Sequence, residues 1–506
     1  MDQRLTLPRN TNQVRGLAQY AIDFLADRFS EPSDAAYARV EQFHLDSIAC
    51  GVSALACGTN APNLLRREAL GYPATSWSGG GATLFGSRVL VKPEKAVVAN
   101  SSAVREWDSN GTNFGYDPQH GNTAGEFGHN DFYPVAVAAA QIAGYDGRRT
   151  LKAMLLIDEI RGRLAEVFSL KSYKIDHVVH GAIASAVVFG AVLGGTVDQL
   201  ESAVGLTVAH YIPFRAIRHG KQLSDSKGAS AALSSEAAVL SAQRALAGFV
   251  GPADIFRNAE AVFCLFEKPA RRGESPFELS PGTSGDEFSV LGMHFKLGLY
   301  EHQSAGAIHG LIQMLAANPE LLADEQLLRR IRITIYQPAF DIIGDPAKRD
   351  PQTRQSADHS MVYIVATLLR KALGQRQAGW RELILLPADY DEAALRHPLT
   401  RRLIEKIDFR HGGSEYDALY PDGIPTSLEI EHAALGTLKG ELVMYPEGHA
   451  RNTSGNLASL LQYKFRKLAA LGVDDVAALE ARFTDLRGKS AEEIRALYDF
   501  RIRGVS

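Results

Sequence analysis

Apolar side chains recur at three- and four-residue intervals through most of the first half of the chain. The stretches "VRGLAQYAIDFLADRF" (14–29), "DAAYARVEQFHLDSIACGVSALAC" (34–57), "TLKAMLLIDEIRGRLAEVF" (150–168) and "VDQLESAVGLTVAHY" (197–211) all carry this period. It gathers their apolar residues on one helical face. "GASAALSSEAAVLSAQRALAG" (228–248) continues the pattern with small residues, which let helix axes approach closely. "KAVVANSSAVRE" and "FYPVAVAAAQIAG" read as buried helices of the same kind. The pattern predicts an all-helical domain over residues 1–270.

The period then changes. Residues 268–287, "KPARRGESPFELSPGTSGDE", are rich in Pro, Gly, Ser and charge and read as a linker or excursion loop. Beyond them "IRITIY" (331–336), "SLEIEH" (427–432) and "ELVMYP" (441–446) alternate apolar and polar positions, as strands with one buried face do. The last two, joined across "AALGTLKG", read as an antiparallel pair. Helices such as "HSMVYIVATLLRKAL" are interspersed with these strands, so an α+β domain is expected over 285–449. "NLASLLQYKFRKLAALG" and "SAEEIRALYDF" return to the helical period. The fold class expected is mostly α, with a smaller α+β lid domain.

Length and composition narrow the function. A chain of 506 residues exceeds what one core usually spans, which agrees with two domains. The formal net charge of −4 offers no electrostatic footprint for nucleic acid or an anionic membrane, although a few basic residues could still hold a small anion. Cys50, Cys57 and Cys264 are too scattered for a zinc or iron–sulfur site; they read as core residues of a protein from a reducing compartment. The uncharged stretch 178–197, "VVHGAIASAVVFGAVLGGTV", is dominated by small residues and fits a fully buried helix better than a bilayer span. The N-terminal stretch has no signal-peptide pattern, so a soluble, cytoplasmic protein is expected. No Walker loop, metalloprotease helix, nucleophile elbow or dinucleotide fingerprint occurs. No cofactor and no metal are therefore expected, and any chemistry falls to side chains.

Four segments carry candidate chemistry. Residues 107–131, "WDSNGTNFGYDPQHGNTAGEFGHND", form a polar loop between two buried helices and offer Asp108, Asn110, Thr112 and His129. The bland alternative is a solvent loop rich in turn residues. "RAIRHGKQLSDSKGASAA" gathers Arg215, Arg218, His219, Lys221 and Lys227, either an exposed basic loop or what a multiply anionic substrate needs. "YEHQSAGAIHG" places His302 before an apolar helix. "ADHSMVYIVA" spaces His359 and Tyr363 four apart, which would put them on one helical face.

In this order along the chain, the segments resemble the MmgE/PrpD family, whose activities include 2-methylcitrate dehydratase and cis-aconitate decarboxylase. "WDSNGTNF" resembles the family's D-x-x-D-T segment, "GHND" its Gly-His block, and "RAIRHGKQLSDSKGASA" the segment with its lysine. "ADHSMVYIVA" and "YPEGHARN" are similar to the dehydratase branch. Gly111 stands where the family often has a second acid, and the spacing from Thr112 to His129 is longer than usual. The resemblance implies a helical domain to which residues 450–506 return, an α+β lid, and a homodimer. It places the catalytic positions at Asp108, Thr112, His129, Lys227, His302 and Tyr363, in a cleft whose bare polar wall substrate would cover. The activity it implies is metal-independent dehydration of a hydroxy-tricarboxylate, with cis-aconitate decarboxylation or dicarboxylate epimerisation as alternatives at the same site. A non-catalytic helical scaffold is a further, different class. In the dehydratase expectation, Lys227 with Arg215 or Arg218 clamps carboxylates and His129 moves a proton. Asp108 orients that imidazole or takes the opposite proton role, and His219 and Asn110 add substrate contacts.

Overall fold

The computed structural model describes residues 3–218, 222–453 and 455–505. Among the described residues, nine helices of more than ten residues carry the N-terminal half: α1 (Gln13–Leu25), α2 (Asp34–Ala56), α3 (Asn60–Leu70), α4 (Pro93–Arg105), α5 (Tyr133–Ala143), α6 (Gly147–Val167), α7 (Val178–Val192), α8 (Val197–His210) and α9 (Asp225–Leu246). Their ends follow local chemistry. Ser33 and Asp146 accept from backbone N–H groups of the first turns of α2 and α6, and Thr196 and Gln199 close a reciprocal box at the start of α8. Helix α7 is buried almost all round, and α9 packs against α4, α7 and α8. Gly181 on α7 lies so close to the Phe132 ring that an added Cβ would overlap it. No helix among the described residues is long and apolar enough to cross a membrane.

The strands are few, and most belong to a smaller α+β part of a mostly α fold. Strands β1 (Thr112–Phe114) and β2 (Phe127–His129) form a short hairpin inside the polar loop. Four more strands, β3 (Leu328–Ile335), β4 (Ile407–His411), β5 (Thr426–His432) and β6 (Gly436–Lys439), make a sheet in the order β4-β3-β5-β6. Strand β3 runs parallel to β4, with Ile331 opposite Ile407, and antiparallel to β5, with Ile333 opposite Leu428. Burial alternates along β5, so Leu428 and Ile430 face the core. Helix α10 (Ala305–Ala317) packs on β5, and α11 (Met361–Gln375) packs against α10 and β4.

Three expectations change. The partner of β5 is β6, within the stretch read as a connection, and "ELVMYP" contributes only an isolated bridge from Val443 to Thr426. His432 Nδ1 accepts from Ala434 N and Leu435 N and Gly436 takes φ of +74°, so the chain reverses earlier than alternation suggests. The 268–287 stretch is not a free linker: Leu7 N donates to Leu279 O at 2.7 Å, and Leu5 N to Pro281 O at 2.9 Å. Cys50 and Cys264 are buried, but Cys57 is exposed where α2 leaves the core. The terminal segment packs on the helical layer through α12 (Leu457–Ala469), which lies against α2, and through Ala491–Arg495, which lies against α5.

Candidate active site

Helix α4 stops at Arg105, and three residues later Asp108 takes φ of +50°, in the left-handed region that Asp tolerates better than most residues. The turn brings the Asp108 carboxylate back to the Arg105 guanidinium, which donates to it. Lys296 Nζ donates to Asp108 Oδ1 at 2.5 Å, Lys227 Nζ lies 3.4 Å from Oδ2, and His359 Nε2 lies 3.1 Å from the same oxygen. Asp108 is 1% exposed. Burial alone would raise its pKa, but Arg105, Lys296, Lys227 and His359 together hold it well below the ordinary value. At neutral pH Asp108 is therefore a fixed negative charge and a poor proton acceptor.

A second buried carboxylate completes the cluster. Asp358 accepts from Lys227 Nζ at 2.9 Å and Arg354 Nη1 at 3.1 Å, and lies 2.6 Å from His359 Nδ1. Asp108, Asp358 and His359 present ligand atoms within 4.8 Å of one another, a spacing that could suit a metal ion. The Lys227 ammonium lies against both carboxylates, where it balances their charge.

The hairpin supplies the adjoining wall. Thr112 pairs with His129 in register, and its hydroxyl donates to Gly128 O at 2.9 Å. On its other edge Thr112 exchanges backbone hydrogen bonds with His294, at 3.0 and 2.7 Å. One cavity then collects Asp108, Thr112, His129, Arg215, Arg218 and His302. Glu301, Lys348 and His177 line it as well. Burial, followed by the nearby cations, holds the His129 imidazole well below its ordinary pKa, and burial followed by Lys296 does the same for His302. Both rings are thus neutral. Burial, then Asp108, pushes the Glu301 carboxyl up to about 7, and burial lowers the Lys348 ammonium to about 8. Arg218 is bound by Asp176, with Nη2 to Oδ1 at 3.1 Å, whereas Arg215 Nη1 is buried with no partner among the described residues. A larger cavity lies beyond Phe114, but its arginines are already ion-paired: Arg4 with Asp117 at 2.6 Å, and Arg163 with Glu159 at 2.7 Å. Both cavities hold neutral imidazoles and a carboxyl that titrates near neutrality, His294, His449 and Glu166 in the larger one, but among the described residues the smaller adds an unpaired guanidinium.

Residues 15–272 match the MmgE/PrpD N-terminal domain, and residues 301–486 match the MmgE/PrpD C-terminal domain. This chain belongs to the MmgE/PrpD family. It is similar to proteins named 2-methylcitrate dehydratase from Salmonella typhi, at 25% identity over 467 residues, and Escherichia coli K12, at 24% over 464. Each alignment covers 88% of both chains. A protein named probable 2-methylcitrate dehydratase from Saccharomyces cerevisiae is 24% identical over 84% of this chain and 80% of its own length.

The MmgE/PrpD positions inferred from sequence divide into four groups. Asp108, Thr112, His129 and His302 share the cavity with Arg215 and Arg218. Lys227 stands behind Asp108 in the first turn of α9, bound to two carboxylates instead of facing the cavity. Asp108 in turn contacts His359, so it orients that ring and not His129. Asn110 and Tyr363 are directed elsewhere: Asn110 donates to Asp131 at 2.5 Å, and the Tyr363 hydroxyl donates to Asp389 O at 2.6 Å. Ser360 caps α11, which starts at Met361, so His359 precedes the helix and does not share a helical face with Tyr363. His219 and Lys221 lie outside the described residues.

The polar loop is also less bare than its composition suggests. Residues 107–115 are buried, and exposure is confined mainly to 116–124. Arg105, Lys296, Glu301, Lys348 and His177 were not legible as site residues. None of them sits in a spacing that marks it as a site residue, and only the adjacency of Glu301 to His302 offered a signal.

Proposed function

We propose that this MmgE/PrpD chain is a metal-independent hydro-lyase that dehydrates a hydroxy-tricarboxylate, with 2-methylcitrate giving 2-methyl-cis-aconitate as the first substrate to test. The observation that carries this reading is the joining of neutral His129 and His302 with Arg215, Lys348 and Glu301 in one cavity. The names of the relatives supply the substrate class.

Dehydration removes a proton from a carbon beside a carboxylate while hydroxide leaves the neighbouring carbon. It needs a base, a proton source for the leaving oxygen, and fixed positive charge for the carboxylate on which negative charge develops. Neutral His129 is suited to accept the carbon-bound proton. Arg215, with Lys348 when protonated, is suited to bind substrate carboxylates. Asp108 handles no proton in this scheme. Its ionised carboxylate holds Lys227, Lys296 and Arg105 in place and aligns His359.

The test is incubation of chelator-treated protein with 2-methylcitrate, citrate and related hydroxy acids, following alkene absorbance and identifying products by chromatography. Formation of a methylaconitate, reduced at least 100-fold in His129→Ala, is the expected outcome. Loss of cis-aconitate with carbon dioxide release, and no alkene from any hydroxy acid, would replace dehydration with decarboxylation.

A further inference from the structure

We propose that Glu301 is the general acid that protonates the departing hydroxyl, a catalytic role resting on the dehydratase reading above. Its place is set by backbone contacts on both sides. Glu301 N donates to Asp358 O at 2.8 Å, Ser304 N donates back to Glu301 O at 3.0 Å, and Glu301 Oε2 accepts from Gln303 N at 2.9 Å. The carboxyl is thus fixed on a short turn ahead of α10, on the wall that also carries His302. Its other oxygen, Oε1, has no hydrogen-bond partner among the described residues.

The cavity holds one other carboxylate, and the two are opposites. Asp108 is surrounded by Arg105, Lys296, Lys227 and His359 and stays ionised. Around Glu301, Asp108 favours the protonated form, while Lys296, Lys348 and the Gln303 amide favour the ionised one. His302 is its chain neighbour, and Arg215 lines the same cavity. Burial and Asp108 prevail, so Glu301 carries a proton for much of the time near pH 7. A bound tricarboxylate adds negative charge and raises that occupancy.

The step balances. Neutral His129 takes the carbon-bound proton, and the electron pair of the broken C–H bond forms the C=C bond. The C–O bond breaks with its electron pair on oxygen, which takes the Glu301 proton and leaves as water. His129 ends as imidazolium and Glu301 as carboxylate, and transfer of one proton between them through solvent resets the site.

The test compares wild type with Glu301→Gln, which keeps the size of the side chain and an oxygen able to accept from Gln303 N. Two substrates are used: 2-methylcitrate, and its analogue with fluoride in place of the hydroxyl, whose leaving group requires little help from an acid. The expected result is a loss of at least 100-fold in kcat on the hydroxy acid with KM little changed, and near-normal elimination from the fluoro analogue. The fall in wild-type kcat on the alkaline side should also vanish in the variant. Undiminished turnover of the hydroxy acid, or equal loss on both substrates with native thermal stability, would overturn the assignment. A variant that unfolds is replaced by Glu301→Asp, for which the same contrast between substrates is required. Wild-type protein inactive on every hydroxy acid would defeat the dehydratase reading itself and this role with it, an outcome distinct from an active wild type with an unimpaired variant.

Discussion

At the scale of single residues, Asp108 concentrates the electrostatics of the site. It is the shared counter-charge for Arg105, Lys227 and Lys296, all buried. Replacing one member of such a cluster leaves the others uncompensated away from water, at a cost of about 3–5 kcal/mol. Asp108→Asn should lower the urea midpoint correspondingly and abolish turnover, and an unchanged midpoint would mean that the cations do not depend on this charge. Gly111 has its own explanation at this scale. A Cβ there would overlap the Phe43 ring, which stacks on Phe295 with centroids 3.9 Å apart.

At the scale of elements, helix α12 matters to the site although none of its residues lines the cavity. Lys464 on α12 is fully buried, and its ammonium donates to Ser109 O at 2.7 Å and Lys296 O at 2.8 Å and pairs with Asp46 at 2.7 Å. It therefore fixes the backbone beside both Asp108 and Lys296. Lys464→Met would leave Asp46 and two carbonyls without this donor. The expected effect is a loss of about 3 kcal/mol or more in urea unfolding, with kcat falling more than KM changes. Wild-type stability and kcat together would show that α12 is only a cover. The hairpin is similarly dependent on fit: Gly115 lies so close to the Ala165 carbonyl that a Cβ would overlap it.

For the whole molecule, buried histidines set the response to acid. Burial depresses His44 and, with nearby Lys227, His359 to about 3, and His180 and His449 to about 4; His129, His177, His294 and His302 are also well below their ordinary value. These groups stay neutral in the native state while the unfolded chain binds protons below about pH 6.5. They stabilise the fold above that pH, and the contribution falls as pH drops. Glu166 and Glu301, pushed up to about 7, act in the opposite sense, because the native state takes up their protons first. The more numerous histidines should prevail, so Tm should fall steadily between pH 7 and pH 5. A calorimetric Tm that is flat or rising across that range would contradict the assignment of neutral buried imidazoles.

Hydrophobic patterning by itself determined the helical first half, the change to a sheet-bearing part and the buried character of 178–192, because each depends on where apolar residues fall within a local element. The ordered set of motifs likewise located Asp108, Thr112, His129 and His302 on one candidate site. Only the tertiary structure placed Lys227 behind Asp108, turned Tyr363 away, and added Arg105, Lys296, Glu301 and Lys348 from separate segments. The physical reason is that a residue's charge state follows from burial and from neighbours brought together across hundreds of positions. No local spacing records those neighbours: Asp108 and Lys296 are ordinary charged residues until the fold seals them against each other.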